Sequence, residues 1–560
     1  MDLVSEQNAL FAARDAVSYA PFLRAPPFLD VPSQVAAISR SGAAAACSVD
    51  DALLVRIARE QVGGAFWGHR PQGVKIVARQ GIEIPLDVYA GLAEDEIGIL
   101  PNDSGGAGAI VHGSAVRILP VPCDLWALVA GARSVHASPE DELAIIAGLV
   151  GVPVMDGDGR LVPEAQLREI ARGRVSEAVY RNCFSGEAAD ISWVIQCLAD
   201  WRRHLDGNRD IAAASGIAFW KRQALRRFLW DGLGFPPFLS VARGLARARK
   251  RGGSIAVWPS RVPTTIADQS AVPVVRIEDG FLRSKGLGAA LHPPGSVVVD
   301  RSGIYYNARA ESDLERLLAT HDFTTELVER AAQLRARICD AGVTKYGQDA
   351  GHLAELPRGR RTVLAVGQVD DDLSVRLGGA GVGGNLDFLE RVRRAEPDAW
   401  IIYRPHPDVQ AGHRKGHLSE AAVLRHADMI DAGAPLMALV QMVDEVHILS
   451  SLTGFEALLR GCSVTVHGMP FYAGWGLTRD LATASPRRGR RLTIDQLVAG
   501  ALILYPRYLD PVTALPCGPE VMVNRLASGS MPPMTSLIRL RMLQGKLRRF
   551  MTLFAEFLHG

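Results

Sequence analysis

Two adjacent carboxylates, Glu278 and Asp279, stand at the end of an apolar run and are followed by Gly280. The run VPVVRI predicts a strand, and the glycine predicts a turn directly after it. Side chains at the carboxyl end of such a strand face the crevice where α/β proteins bind ligands. A carboxylate at the centre of a glycosyl transfer can act as a nucleophile or as a base. The alternative is a surface turn in which Arg276 or Arg283 pairs with one carboxylate.

A second candidate is the motif YRPHP at residues 403–407, which ends the apolar run AWII. Pro405 and Pro407 fix the backbone on both sides of His406 and carry no competing N–H donor. Arg404 can bind a phosphate or a carboxylate through two parallel hydrogen bonds. The pattern therefore predicts an anion-binding turn, and a purely structural histidine is the alternative.

A third candidate is the serine pair Ser450 and Ser451, which follows the strand-like run EVHIL. Thr453 and Glu456 have the spacing of a capping box, so a helix is predicted to start at Thr453. Backbone N–H groups at the start of a helix attract anions. The segment predicts a phosphate site, with an ordinary helix cap as the alternative.

Two loops complete the candidates. Gln368 belongs to the polar loop GQVDDDLS, which leaves the strand pattern TVLAV and runs into a glycine-rich stretch. Residues 379–384 formally match GxGxxG but lie more than ten residues beyond the strand, so the sequence argues against NAD binding and leaves a donor-phosphate loop or a surface loop. Residues 468–478 interleave aromatic residues with glycines, and either stack sugar or base rings or pack beneath a loop.

The elements that position these residues alternate between short apolar runs and helical patterns, from about residue 74 to 155 and again from about 251 to 510. This alternation predicts an α/β fold with doubly wound parallel sheets. Residues 220–230 (WKRQALRRFLW) read as a basic amphipathic helix, either solvated on one face or facing a membrane. We predict five regions: a partial, degenerate module without catalytic motifs (1–205), a helical linker (206–250), two Rossmann-like domains (251–350 and 351–510), and a helical tail (511–560).

An internal repeat relates the two ends of this pattern. Residues 127–136 (ALVAGARSVH) align without gaps on residues 438–447 (ALVQMVDEVH), with five identical positions in ten. The first copy has no counterpart of the carboxylate pair or of the PHP turn. Either the chain contains a duplication whose first copy has lost its chemistry, or two β/α units are similar by chance.

Composition limits the possible classes of function. The 560 residues are 48% hydrophobic and 22% charged, as in ordinary globular proteins. The 62 basic and 60 acidic residues leave a net charge of +2, so we expect no nucleic-acid partner. Seven scattered cysteines without a CxxC pair argue against disulfides or structural zinc and fit a cytoplasmic location. No signal peptide or spanning helix is predicted.

Together, the chemistry-bearing segments resemble the capsule polysaccharide synthesis family of retaining β-Kdo transferases. The resemblance covers about residues 255–511 and rests on EDGFLRSKGLG, GQVDDDLSV, YRPHP, SSLTGFEALLRG and HGMPFYAGWGLT, with an echo in LILYPRYLDP. The carboxylate–glycine, His-Pro and serine-pair motifs are also similar to those of bacterial sialyltransferases, which use CMP-sugars too.

The resemblance implies a GT-B fold that holds CMP-Kdo between two Rossmann-like domains and transfers Kdo to a lipid-linked or growing glycan of a capsular or related surface polysaccharide. It implies Asp279 as the catalytic carboxylate, with Glu278 beside it. The donor would be bound by Gln368, Arg404, His406, Ser450, Ser451 and Thr453. Neither a metal nor a cofactor is expected, because a helix start, an arginine and a histidine can offset the charge of one phosphate.

Several alternatives stay open. Transfer through a glycosyl ester of Asp279 would retain the donor configuration, whereas general-base catalysis by Asp279 would invert it. The donor could be another CMP-sugar such as sialic acid, or a nucleoside-diphosphate sugar. The chain could also be a non-catalytic partner in capsule assembly or export.

The C-terminal residues 536–560 predict a basic amphipathic helix, which either lies on anionic lipid or packs on the fold with a solvated basic face. A lipid-linked acceptor makes contact with the inner-membrane surface, and with the capsule export machinery, a further expectation. We expect a single activity from the whole chain.

Overall fold

The chain divides into two compact units. Unit 1 consists of Met1–Arg209, Leu229–Phe235 and Thr513–Cys517, and unit 2 consists of Asp210–Phe228, Pro236–Val512 and Gly518–Gly560. The computed structural model describes residues 20–41, 49–84, 88, 91–102, 116–262, 271–282, 293–344, 355–410, 412, 414–431, 433–483 and 485–530. Within these ranges, no helix is long and apolar enough to cross a lipid bilayer.

The elements of unit 1 are α1 (Ser33–Ala36), β1 (Ser39–Ser41), α2 (Asp51–Glu60), β2 (Ile76–Arg79), β3 (Ile97–Leu100), β4 (Arg117–Ile118), α3 (Leu125–Val129), β5 (Ser134–His136), α4 (Glu142–Val150), β6 (Val154–Met155), α5 (Glu164–Ser176), β7 (Ala178–Tyr180) and α6 (Ile191–Asp206). Five of the strands form a parallel sheet in the order β4-β3-β2-β5-β6. A separate antiparallel pair joins β1 to β7. Helix α4 (ELAIIAGLV) is buried from Leu143 to Leu149, in agreement with its almost entirely apolar sequence.

The first part of unit 2 forms a mixed sheet. Its elements are β8 (Ile211–Ser215), α7 (Arg222–Phe228), α8 (Val241–Arg251), β9 (Ser254–Val257), β10 (Val274–Asp279), β11 (Ser296–Asp300), α9 (Asp313–Thr320) and α10 (Thr325–Asp340). Strands β8, β9 and β10 are parallel, whereas β11 returns antiparallel to β10. The predicted parallel sheet of residues 251–350 is therefore wrong at β11, because β11 pairs directly with the strand that precedes it in the chain.

The second part of unit 2 is a doubly wound parallel sheet, as predicted. Its elements are β12 (Thr362–Val366), α11 (Leu373–Gly378), α12 (Asn385–Ala395), β13 (Trp400–Arg404), α13 (Pro407–Gln410), α14 (Glu420–Val423), β14 (Met429–Ile430), α15 (Leu436–Met442), β15 (Glu445–Ile448), α16 (Leu452–Leu459), β16 (Ser463–Val466) and β17 (Arg479–Asp480). The strand order is β14-β13-β12-β15-β16-β17, with parallel pairing throughout. The order reverses between β12 and β15, and ligands of such sheets bind at this switch point.

The chain then returns to the mixed sheet. It forms α17 (Ile494–Val498), a π-helical turn (Ala499–Leu504), β18 (Pro506–Leu509), β19 (Pro516–Cys517) and α18 (Pro519–Ser528). Strand β18 pairs antiparallel with β11. The predicted helical tail (511–560) contains strand β19 before α18, so it is wrong at residues 516–517, and the predicted basic amphipathic helix at 536–560 lies outside the described residues.

Residues 206–250, predicted as a helical linker, contain α7 and α8 but also strand β8 of the mixed sheet. The short run IAAAS in β8 is buried at every position. A short strand of small residues gives a weak pattern, and two basic helices follow it, so the helical patterns dominate the sequence signal.

The internal repeat corresponds to equivalent elements in the two parallel sheets. Residues 127–136 run from α3 into β5, and residues 438–447 run from α15 into β15. The strand order β4-β3-β2-β5-β6 repeats the order β14-β13-β12-β15-β16. The helices after β5 and β15 are each followed by a glycine with φ of 77°, Gly151 and Gly461. These common features favour duplication over chance similarity.

Candidate active site

A cavity of about 600 Å³ in unit 2 brings together most of the predicted site residues. Its lining comes from the end of β10 and from the segments that follow β9, β10, β11, β12, β13, β15 and β16, and its volume is typical of small-molecule sites. The lining includes Glu278, Asp279, Gln368, His406, Ser450 and Ser451, and excludes Arg404 and Thr453.

The carboxylate pair is held where β10 meets β11. The backbone N–H of Gly280 donates to the Ser296 carbonyl at 2.9 Å. A Cβ on Gly280 would lie 2.3 Å from Ser296 Oγ, so no larger residue fits beside the pair. The side chain of Asp279 is 18% exposed, and its Oδ1 lies 2.7 Å from Lys221 Nζ. Arg283, one of the two predicted partners, lies outside the described residues.

Gln368 bridges the switch point of the parallel sheet. It leaves β12, and its Oε1 accepts a hydrogen bond from the Ser450 N–H at 2.7 Å. Its Nε2 donates to Ser450 Oγ at 3.2 Å, and Asn385 fixes its backbone through two further bonds. The Ser450 hydroxyl still has a proton to donate, so an anion at this cavity wall can accept from it.

Ser451, rather than Thr453, caps the helix that follows β15. Helix α16 begins at Leu452, and Ser451 Oγ accepts from the Thr453 N–H at 3.2 Å. Ser451 has extended backbone angles, whereas Thr453 is already helical and buried, with its hydroxyl accepting from Ser451. The capping box predicted for Thr453 is therefore wrong. The buried Tyr472 hydroxyl donates to the Ser451 carbonyl and so fixes the backbone of the serine pair.

The YRPHP turn divides its two polar residues between different roles. Arg404 is buried and its guanidinium pairs with Asp431. His406 lines the cavity, and its Nδ1 accepts a hydrogen bond from the Asp408 N–H at 3.1 Å. The neutral ring therefore carries its proton on Nε2, where it can donate to a phosphate oxygen.

The aromatic loop after β16 packs beneath the site. Trp475 and Tyr472 are fully buried, and the indole N–H of Trp475 donates to the Phe471 carbonyl at 2.8 Å. Phe471 reaches the cavity and stacks on Phe281, with ring centroids 4.6 Å apart and planes at 29°. Of the two interpretations of this loop, packing therefore describes Tyr472 and Trp475, while Phe471 offers an apolar wall.

Sequence reasoning missed five residues of the site. Tyr305, Tyr306, Arg376 and Arg414 line the cavity, and Lys221 pairs with Asp279. The hydroxyl of Tyr306 is buried without a hydrogen-bond partner among the described residues. Burial and the nearby Glu278 raise the pKa of Tyr306, so the hydroxyl stays protonated and can donate to a ligand. The local signal for the tyrosines is their place in the loop that follows β11.

The equivalent end of the sheet in unit 1 is filled by an ion pair. Asp141 caps α4 as Ser451 caps α16, and both Asp141 oxygens accept from Arg79 at 2.7 Å. The carboxylate thus occupies the helix start and the cation at the end of β2. The Asp141 carboxylate therefore takes the position that an anionic ligand would need at this helix start. This is consistent with the absence of the carboxylate pair and the PHP turn from the first copy of the repeat.

One other group in unit 2 has the composition of a metal site. Ligand atoms of Glu396, Glu445 and His447 lie within 4.8 Å of one another. Arg361 pairs with both glutamates, and Arg479 lies 2.7 Å from Glu396. Two guanidinium groups balance the two carboxylates and occupy their oxygens, so the group is an ion-pair network.

His467 contacts His447 of this network, and its protonation makes the stability of the protein depend on pH. Burial, and next the neighbouring His447, lower the pKa of His467 from 6.5 to about 3. Below pH 6.5 the histidine is protonated in the unfolded chain but stays neutral in the folded chain. The free energy of unfolding therefore decreases as the pH falls from 6.5 towards 3. We expect His467→Gln to reduce the pH slope of the unfolding free energy by up to about 1.4 kcal/mol per pH unit in this range. Urea titrations at pH 7, 6, 5 and 4 measure the slope, and equal slopes in both proteins would contradict the assignment.

All residues that line this cavity lie within the part of the chain that matches a family of known proteins. Residues 255–508 match the family model described as capsule polysaccharide biosynthesis protein. The chain is 39% identical over 357 residues to capsule polysaccharide modification protein LipA of Neisseria meningitidis serogroup A, covering 63% of this chain and 51% of LipA. It is 44% identical over 252 residues to lipopolysaccharide-processing protein LpsZ of Rhizobium meliloti, covering 44% of this chain and 57% of LpsZ. The chain thus spans about half the length of the curated relatives it matches.

Two solved structures also match. KpsC of Thermosulfurimonas dismutans, described as a β-Kdo 2,7 transferase, is 31% identical, with 57% of this chain and 99% of that chain covered and a TM-score of 0.48. A second structure from the same organism, described as a KpsC β-Kdo 2,4 transferase, is 33% identical, with 56% and 98% covered and a TM-score of 0.49.

Proposed function

We propose that this chain, whose residues 255–508 match the family model described as capsule polysaccharide biosynthesis protein, is a GT-B glycosyltransferase that moves Kdo from CMP-Kdo to a lipid-linked or growing glycan. One observation carries the proposal. The cavity unites a carboxylate at the end of β10 with hydrogen-bond donors at the switch point of the parallel sheet. A nucleophile and an anion site that face one cavity are the two parts that transfer from a phosphate-activated sugar requires.

The donor phosphate would bind at the second sheet. The Nε2–H of His406, the hydroxyl of Ser450 and the N-terminus of α16 supply donors without a metal ion. Gln368 fixes Ser450 and so acts on the phosphate through it. Arg404 is proposed to support this turn from behind, since its guanidinium is paired with Asp431.

The sugar would react at the first sheet by double displacement. An oxygen of Asp279 forms a bond to the anomeric carbon, and the bond from that carbon to the CMP phosphate oxygen breaks, with its electron pair leaving on CMP. An acceptor hydroxyl then attacks the same carbon and displaces Asp279, and the proton of the hydroxyl passes to solvent. Two inversions retain the configuration. General-base catalysis by Asp279 remains the competing mechanism.

His406 offers a test of the donor half. We expect His406→Phe to weaken CMP binding by about 10- to 100-fold, the loss of one hydrogen bond to a charged group. His406→Gln places an amide N–H near the former Nε2 and should recover part of the affinity. Calorimetric titration with CMP measures both variants, with His321→Phe as a control that does not line the cavity. Unchanged affinity in His406→Phe would remove His406 from the phosphate site.

The donor is tested by competition. We expect release of CMP from CMP-Kdo generated in situ, inhibited by CMP and little affected by CMP-sialic acid or a nucleoside-diphosphate sugar. If CMP is released faster from CMP-sialic acid than from CMP-Kdo, the donor is CMP-sialic acid, and the proposed phosphate site and carboxylate still stand. Binding of CMP-Kdo without release, at any acceptor concentration, would favour a non-catalytic role in capsule assembly or export.

A further inference from the structure

Lys221 is a buried lysine whose partner is the proposed catalytic carboxylate. It ends the 3-10 turn Phe219–Lys221 directly before α7, and its side chain is 8% exposed. Its Nζ lies 2.7 Å from Asp279 Oδ1. The same atom lies 3.6 Å from the ring centroid of Trp258 and 5.0 Å from that of Trp220. Burying an ammonium is costly unless it is paired, and the two indole faces stabilise the cation without competing for its hydrogen bonds to acids.

The reaction changes the charge that Lys221 faces. Asp279 carries a negative charge before the attack and none once its oxygen is bonded to the anomeric carbon. If nothing replaced that charge, the buried ammonium would face a neutral ester in place of this carboxylate, which is unfavourable. A substrate anion close to the new bond would restore the balance.

A donor of the 2-ulosonic acid class supplies that anion. In Kdo the carboxylate is attached to the anomeric carbon itself, the atom that Asp279 attacks. Since Lys221 Nζ already lies at hydrogen-bond distance from the attacking carboxylate, a group two bonds beyond that oxygen comes within its reach. An aldose donor carries hydrogen at this position and offers the lysine no carboxylate.

We propose that Lys221 is the specificity residue of this site, which pairs with Asp279 in the free protein and with the donor carboxylate once Asp279 has reacted. The inference rests on the proposed function and extends it to the substrate class. Lys221 moves no proton in either state. Its sequence segment, with a basic helical pattern, gives no sign of this contact, and it lies outside the residues matched by the family model.

The test compares free Kdo with its methyl ester, which lacks the charge. Asp279→Asn serves as the background, because it is designed to stop the reaction and removes the anion that Lys221→Met would otherwise leave unpaired. We expect Asp279→Asn to bind the acid about 10- to 100-fold more tightly than the ester. Asp279→Asn/Lys221→Met should bind the two equally, and Asp279→Asn/Lys221→Arg should keep part of the preference. Lys250→Met, which removes an exposed lysine of α8, should leave the preference unchanged.

A kinetic comparison separates specificity from support of the fold. In the otherwise native chain, Lys221→Met should lower kcat/KM for CMP-Kdo by about 100-fold, while CMP binds as before, because the phosphate site lies on the other sheet. If the double variant still prefers the acid over the ester, Lys221 does not read the carboxylate and the inference fails while the proposed function stands. If the native chain releases no CMP from CMP-Kdo, the proposed function fails and the inference with it.

Discussion

Asp279→Asn is expected to lower kcat for transfer from CMP-Kdo by about 10⁴-fold or more, which is the scale of losing an essential nucleophile. The asparagine amide has the size of the carboxylate and cannot form the glycosyl ester. The site around it should persist, since Gly280 and Ser296 fix the backbone of this turn independently of the side chain. CMP release and Kdo transfer, measured with saturating donor, report the loss.

Two controls make this result specific. CMP binding should be unchanged in Asp279→Asn, because the proposed phosphate donors belong to other segments of the cavity. Asp322→Asn neutralises an exposed carboxylate of the same unit and should retain full activity. A decrease of less than about tenfold in Asp279→Asn would mean that another group carries the chemistry.

Trp475→Ala is expected to destabilise the protein by about 3–5 kcal/mol, the usual loss for a fully buried large aromatic side chain. Trp475 is 0% exposed, its indole N–H bonds the Phe471 carbonyl, and the Arg488 guanidinium lies 5.9 Å from its ring centroid. Removing it opens a cavity beneath the loop that carries Phe471 into the site. Activity should therefore fall together with stability.

A graded series separates packing from the hydrogen bond. Trp475→Phe keeps most of the apolar volume and should lose about 1–2 kcal/mol. Urea unfolding followed by circular dichroism gives both values. Equal stability of Trp475→Ala and the native chain would show that the loop is not supported by this side chain and would restore the ring-stacking interpretation of the sequence.

The sequence predicts the site where its signals are local. Gln368, His406 and Ser450 each follow a strand of one parallel sheet that its apolar run predicts, and the carboxyl ends of these strands meet at one edge. Asp279 ends β10 of the other sheet of unit 2, so this rule predicts its place at a strand end but not its approach to the other three residues. The sequence also predicts the parallel sheet of residues 351–510, because alternation of strand and helix there is regular.

The misses share one physical cause, which is dependence on contacts between distant segments. Lys221 and Asp279 are separated by 58 residues, and a basic helical pattern does not reveal that one lysine points inward. Arg404 has the right place for a phosphate ligand, but Asp431, from another strand end, pairs with it. The antiparallel return of β11 likewise depends on which strand it pairs with, and a single apolar run carries no such information.

The degenerate copy also has a physical explanation. In unit 1 the position of the anion is taken by Asp141, held by Arg79. A helix start that is already filled by a carboxylate offers no site for a phosphate. We therefore still expect a single activity from this chain, because the Arg79–Asp141 pair leaves no phosphate site at the helix start in unit 1.

The most direct test of Asp279 as a nucleophile is intact-protein mass spectrometry after brief incubation with CMP-Kdo and no acceptor. We predict a mass increase of one Kdo residue on the native chain, mapped to Asp279 by peptide analysis and absent from Asp279→Ala and Asp279→Asn. Addition of acceptor should remove the adduct. An adduct on another residue would contradict the assignment of Asp279 as the nucleophile. CMP release that requires Asp279 but never yields an adduct under rapid quenching would contradict double displacement and favour general-base catalysis with inversion.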